Sequence, residues 1–301
     1  MKSTPVIATV FACFNRRDIA VECVQRLRAQ TRQPDFVVVA DNHSNDGTAD
    51  ALSALNWDQL TVLDTGANLG NAGGVEAAME HAFATGADAV WILDDDSWPR
   101  PEALENLAME WQPEVVRVPL QIDPGRSNFT WPLQVQNENG GWRLAKNRAE
   151  LPAGNFIATR NNWTGALVSQ TVRKRIGPVM GALFIRGEDE EYPKRMEAAG
   201  VPQEVAVRAV LDHPGPAHVE HIRCFGKNFF FEPGLADWKL YYKIRNMVWL
   251  TRREKGRAQA FALALAYGLA AIRFDGWARL RVVVAAARDG WRGNLGKWRG
   301  H

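Results

Sequence analysis

Apolar and polar positions alternate along the first third of the chain in blocks of two kinds. Residues 5–12, 35–40, 60–64 and 89–93 are short apolar runs of strand type. Between them, 18–30, a segment capped by Asp46-Gly47-Thr48 and running to about residue 55, and 72–85 carry helical spacing. This alternation predicts βαβ units, and hence an α/β fold with a mainly parallel central sheet flanked by helices. After Pro101 a helix reaches about residue 111. The pattern then loosens, with strands expected at 115–120, 133–136 and 142–145 and Asn139-Gly140-Gly141 as a hairpin turn.

Composition adds a class and a boundary. The 301 residues are 46% hydrophobic and 23% charged, which suits a globule of enzyme size and excludes disorder. Cys13, Cys23 and Cys224 are odd in number and lack finger spacing, so neither a disulfide framework nor a zinc site is expected. The first residues lead into a strand-type run rather than a signal-peptide core, and a cytoplasmic location follows as an expectation. Charge is unevenly spread. Residues 252–301 carry a net +8 and the first 251 a net −6. The basic tail interleaves Trp277, Trp291 and Trp298 with arginines, and its apolar stretch 261–272 is too short to span a bilayer. An amphipathic helix pair touching an anionic membrane surface is expected, a helical lid being the alternative.

Chemistry concentrates where the expected strands end. The run Trp91-Ile92-Leu93 gives way to Asp94-Asp95-Asp96, three acids that need either solvent or a cation. Alternation along an extended chain would turn Asp94 and Asp96 to one side and Asp95 to the other, and two hard oxygen ligands suit Mn²⁺ or Mg²⁺ beside phosphates. A solvated acidic turn is the alternative. The earlier strands end in Asn15-Arg16-Arg17, in Asp41-Asn42-His43-Ser44 and in Asn68-Leu69-Gly70-Asn71-Ala72-Gly73-Gly74, so polar ends of successive strands build one crevice. Gly70, Gly73 and Gly74 would let backbone approach a sugar or phosphate. No dinucleotide fingerprint or P-loop follows the first strand.

With these ordered motifs the chain resembles the family 2 glycosyltransferases of the GT-A fold, over about residues 5–250. The runs Asn68 to Gly74 and Trp91 to Asp96 look most like the galactofuranosyltransferase and rhamnosyltransferase branch. The resemblance implies a metal-dependent inverting transfer from a UDP- or dTDP-linked sugar to a hydroxyl of a glycan or lipid-linked glycan. It places Asp41 on the nucleobase, Arg16 near the nucleotide, Asp95 on ribose or phosphates, and Asp94 and Asp96 on the metal. In Arg186-Gly187-Glu188-Asp189-Glu190-Glu191-Tyr192-Pro193-Lys194-Arg195 it matches the acidic pair Glu188 and Asp189, with Asp189 as general base and Glu191 and Arg195 in support. An acidic helix N-terminus explains such a run equally well by itself. A histidine beyond that pair completes the metal site in the related enzymes. His213 has a suitable distance, and His218 and His221 remain alternatives. The segment Asn162-Trp163-Thr164-Gly165-Ala166 resembles the acceptor side, where Trp163 would stack on a sugar or simply be buried. The helix around Asp237-Trp238 and Tyr241 to Asn246 is read as structural first.

These readings divide the chain into a catalytic domain, 1–250, with a donor half 1–112 and an acceptor half 113–250, and a tail 251–301. Rival classes fit less well. An aspartate-nucleophile phosphatase carries its Asp-x-Asp on the first strand, and a nucleotidyltransferase needs a Gly-rich basic loop there. A carbohydrate- or membrane-binding protein would need no base, and the acidic first 251 residues disfavour nucleic acid.

Overall fold

A computed structural model describes residues 4–126, 128–215, 218–224, 227–298 and 300. It divides into two compact units, one of 1–181 with 192–215, the other of 182–191 with 216–301.

The first unit opens with β1 (Ile7–Cys13), α1 (Arg17–Arg28), β2 (Phe36–Asp41), α2 (Thr48–Ser53), β3 (Leu60–Asp64), α3 (Gly70–Ala84) and β4 (Ala89–Ile92). A two-residue β5 (Trp98–Pro99), α4 (Ala103–Ala108), β6 (Val116–Ile122), β7 (Leu133–Gln136), β8 (Trp142–Ala145), β9 (Phe156–Arg160), β10 (Leu167–Ser169) and α5 (Gln170–Ile176) follow. α6 (Glu188–Ala198) starts in the second unit's share of the chain, and β11 (Gln203–Asp212) returns to the first. One sheet runs in the order β3-β2-β1-β4-β10-β6-β11-β9-β7-β8, with β5 on β11. β3, β2, β1 and β4 are parallel, as the alternating pattern predicts. β10 then enters antiparallel between β4 and β6, and β11 is parallel to β6.

Predominantly apolar strands explain this centre: all seven residues of β1, Thr9 among them, and all four of β4 are buried, as strands covered on both faces require. Trp91 fills the space under β10 and donates its indole N–H to the Gly165 carbonyl at 3.0 Å. Gly165 has φ +82°, and a Cβ there would lie 2.5 Å from Pro119 Cγ and 2.8 Å from Leu211 Cδ1. Gly165→Ala therefore combines a left-handed backbone with a clash against a rigid ring. It is expected to cost about 3 kcal/mol, read as a drop in thermal midpoint.

The second unit holds a hairpin, β12 (Glu220–Cys224) and β13 (Lys227–Phe231), and three helices, α7 (Asp237–Lys255), α8 (Arg257–Asp275) and α9 (Leu280–Arg292). Tyr241, Ile244 and Val248 of α7 share a core with Ala260, Tyr267 and Ala271 of α8 and Val282, Val283 and Ala286 of α9. Gly290 lets α9 close on α7, because a Cβ there would lie 2.3 Å from the Arg245 carbonyl oxygen. The basic tail is thus helical as expected, and packs on α7. No helix is long and apolar enough to cross a membrane among the described residues.

Candidate functional site

In the first unit the polar ends of β1, β2 and β4 gather at the carboxyl edge of the parallel strands. Asn15 leaves β1 in the left-handed region (φ 52°), takes the Asn45 N–H on its side chain at 2.9 Å, and gives its own N–H to Ser44 Oγ at 2.9 Å. This ties the first crossover to the second and aims Arg16 at the acids after β4. Arg16 Nη1 meets Asp95 Oδ1 at 2.6 Å, and its two Nη atoms meet Asp96 Oδ2 at 3.2 and 3.1 Å. Strict alternation of the three acids does not hold here. The chain leaves extended geometry at Asp94, whose carbonyl accepts the Ser97 N–H at 3.0 Å, and the turn brings Asp95 and Asp96 to one guanidinium.

Asp94 is held separately. Its Oδ2 accepts from Thr164 Oγ1 at 2.7 Å and its Oδ1 from Asn71 Nδ2 at 3.4 Å. Burial raises the Asp94 carboxyl above its usual range against the pull of Thr164. Burial likewise pushes Asp95 up to about 7; Arg16 opposes the rise, and Asp96 and Asp94 add to it. Burial alone would depress Arg16, but Asp95 and Asp96 outweigh it and hold the guanidinium above its ordinary value. The crevice thus concentrates negative charge that one arginine partly offsets.

His213, just past β11, completes the group. Its Nε2 lies 3.8 Å from Asp96 Oδ1, and its Nδ1 lies 2.9 Å from the Pro214 carbonyl oxygen. Nδ1 is turned to a backbone carbonyl and Nε2 to Asp96, the orientation that second-shell bonds give a metal-ligating imidazole. A carboxylate and an imidazole nitrogen at that separation fit an ion pair, and equally a shared cation, for which oxygen with imidazole suits Mn²⁺ or Mg²⁺. Among the described residues no three acidic, imidazole or thiol groups are already gathered to metal-holding distance. His218 instead meets Glu220 at 2.9 Å, and the His221 side chain lies outside the described residues.

Several expected contact residues have structural work. Asp41 is buried and accepts from the Ser44 N–H at 3.2 Å. Asn42 is buried, donating to the Gly70 carbonyl at 3.1 Å and accepting from the Leu69 N–H at 3.2 Å, and Asn68 accepts from the Gly70 N–H at 2.9 Å. These bonds set the start of α3. Gly70 takes φ +71°; a Cβ on Gly74 would lie 2.7 Å from Ala12 Cβ and one on Gly73 2.8 Å from Leu69 Cβ. Close packing within the chain therefore already requires a glycine at the last two. Trp163 is buried edge-on against Tyr192, with ring centroids 5.6 Å apart, which leaves no open face for stacking on a sugar. Thr164 sits on Asp94, so its hydroxyl orients a site carboxylate. Reading the sequence missed this role and that of Asn71. The only signal was their place beside motifs already marked.

Arg195 donates to the Ile176 and Pro178 carbonyls at 2.8 Å each, bracing the chain after α5. Pro193 falls in the second turn of α6, beyond the first turn where proline is readily tolerated.

In the second unit the acids at the start of α6 divide by exposure. Glu188 and Glu191 are buried, and Asp189 and Glu190 are exposed. Glu191 pairs with Arg253 at 3.2 Å. The approach to this turn is strained, since Phe184 and Arg186 have φ 66° and 61°. Buried Asn246 holds it, donating to the carbonyls of Leu183, Ile185 and Arg186 at 2.9, 3.0 and 3.0 Å, and buried Arg245 donates to those of Ala182 and Leu183 at 2.9 Å. Gly187 lies so near that a Cβ would be 2.9 Å from Asn246 Cβ. Helix α7 thus fixes where the exposed Asp189 begins its helix.

The profile of Glycosyl transferase family 2 matches residues 9–172. Galactofuranosyltransferase GlfT1 of Mycobacterium tuberculosis is 30% identical over 253 residues, covering 75% of this chain and 80% of its own length. The dTDP-rhamnosyl transferase RfbF of Shigella flexneri is 25% identical over 227 residues, covering 73% and 71%. Among solved structures, the mannosyltransferase PcManGT of Pyrobaculum calidifontis, in complex with GDP-Man and Mn²⁺, superposes with TM-score 0.54 at 17% identity over 95% of this chain and 74% of its own. GalNAc-T7 with UDP, GalNAc and Mn²⁺ gives 0.57 at 12% identity over 84% and 48%.

Proposed function

The chain belongs to glycosyl transferase family 2, and from that premise we propose that it moves galactofuranose or rhamnose from a UDP- or dTDP-linked donor to a hydroxyl of a glycan or lipid-linked glycan, with inversion. The observation that carries the donor side is the meeting of Arg16, Asp95, Asp96 and His213 beside Thr164-oriented Asp94. Such a group matches a diphosphate bound through a cation, since acids alone would repel it.

In this reading residues 1–112 hold the donor and 113–250 the acceptor. Asp41 bonds the nucleobase, and the backbone from Asn68 to Gly70 borders the sugar. Asp94, Asp96 and His213 hold Mn²⁺ or Mg²⁺, which when bound neutralises charge on the departing diphosphate. Arg16 turns from Asp96 toward the phosphates and keeps Asp95 paired. Asp189 accepts the proton of the attacking hydroxyl, and one in-line displacement inverts the anomeric centre. The acceptor side works at the inner face of the cytoplasmic membrane.

A thermal-shift panel of nucleoside diphosphates and nucleotide sugars, each with and without Mn²⁺, tests the donor reading. UDP or dTDP at about a hundred times its Kd is expected to add about 2.7 kcal/mol, and only when Mn²⁺ is present. Stabilisation by neither nucleotide, or equal stabilisation without metal, overturns it.

A further inference from the structure

Helix α8 is built inside out for a soluble globule. Its fully buried residues are mostly small, Ala260, Ala266, Gly268, Ala270 and Ala271 with Tyr267, and Leu263 and Phe274 pack partly buried against the same core. Three of its large apolar residues point outward, Phe261 being 65% exposed, Leu265 44% and Leu269 54%. At 100° per residue these three fall within about 80° of arc, a single stripe along the helix. Trp277, next after the helix, is 74% exposed. Trp291 and Trp298 pack against the unit's core, so Trp277 is the tail tryptophan that faces solvent.

Charge identifies what covers this stripe. Arg257 and Arg273 flank its two ends by helical spacing, and among the described residues neither is paired with a carboxylate. The three acids of 252–301 are Glu254, which precedes the helix, Asp275, within 3.6 Å of Arg279, and Asp289, which accepts from the Tyr241 hydroxyl at 2.7 Å. A protein partner of ordinary composition would leave Arg257 and Arg273 without a complement, whereas Arg253, Arg279 and Arg281 already meet Glu191 and Asp237 within the unit. A bilayer with anionic headgroups meets both demands, taking the apolar stripe at the acyl boundary and the arginines at the phosphates. We infer that the outward stripe Phe261, Leu265, Leu269 with Trp277 is the surface by which this protein lies on anionic lipid, α8 parallel to the membrane plane. The inference rests on the proposed lipid-linked acceptor only for its purpose, since the geometry concerns the second unit alone.

The test is co-sedimentation of the full chain with phosphatidylcholine vesicles and with vesicles containing about 30% phosphatidylglycerol, at low salt and at about 1 M salt. Wild type is expected to pellet with the anionic vesicles at low salt and largely to stay in solution with the neutral ones. The variant Phe261→Ser/Leu265→Ser/Leu269→Ser should lose at least about tenfold in partitioning with an unchanged circular-dichroism melt. Arg257→Glu/Arg273→Glu, which leaves the stripe intact, should lose about fivefold or more per reversed charge. Unchanged pelleting of the serine variant overturns the assignment, as does failure of wild type to bind anionic vesicles. A wild-type dimer in light scattering that the serine variant breaks, with no vesicle binding, overturns it in favour of a second copy of this chain. Mn²⁺-dependent stabilisation by UDP or dTDP, measured on the same variants, separates the two readings. Retained donor binding with lost pelleting leaves the transferase intact, and pelleting without donor binding leaves the lipid face intact.

Discussion

Asp96→Asn is expected to cut kcat by about a thousandfold or more and to erase the Mn²⁺-dependent part of donor stabilisation. The substitution keeps the size of the side chain and removes its charge. Asp96 presents one oxygen to His213 Nε2 at 3.8 Å and the other to Arg16 at 3.1 Å, so it is the acid both groups share. An amide there offers one weak ligand oxygen and turns an N–H toward the imidazole or the guanidinium. Arg16 keeps its 2.6 Å contact with Asp95, and Asp96 is partly exposed, so the unliganded melt should move little. Steady-state kinetics beside the thermal shift check both halves. A persistent Mn²⁺-dependent shift in the variant removes Asp96 from the ligand set.

The parts of this molecule readable from sequence are those whose cause is local. β1 is apolar but for Thr9, β2 is apolar up to its terminal Asp41 and β4 is apolar throughout, with helical segments between them, so their order and parallel pairing follow from composition and chain connectivity alone. β10 is three residues long and β5 two, and neither carries a period. Their places between β4 and β6 and on β11 come from tertiary pairing. The family and the glycosyltransferase class were readable because several strand-end motifs occur in order. The partners within the site were not. Thr164 reaches Asp94 across 70 residues and Arg16 reaches Asp95 across 79, separations that no local pattern encodes. The glycines have a second physical cause that the sequence does not show: at Gly74 the backbone closely approaches Ala12 and Asn42. α8 shows the reverse case. Its apolar residues were plain in the sequence, but which of them point outward depends on the small residues α7 and α9 demand on the inner side.

Asp189→Asn should lower transfer by about a hundred- to ten-thousandfold while leaving Mn²⁺-dependent donor stabilisation at the wild-type level. The four acids at the start of α6 make this a controlled comparison, because burial assigns them different work. Glu191 is buried against Arg253, so Glu191→Gln weakens a structural ion pair and should register mainly in the melt. Glu190 is exposed like Asp189 and one residue further along the helix, so Glu190→Gln removes the same charge from the same helix end and should leave kcat within a few-fold. A macrodipole role for the acids predicts equal, small effects of the two exposed substitutions, whereas a general base predicts a large effect of one. The strained segment before them supports the second outcome. Left-handed Phe184 and Arg186 are held by three carbonyl contacts from Asn246, more constraint than a solvated helix cap requires and the kind that fixes one carboxylate in place. Equal activities of Asp189→Asn and Glu190→Gln would return the run to an ordinary helix N-terminus and leave the acceptor proton to another group.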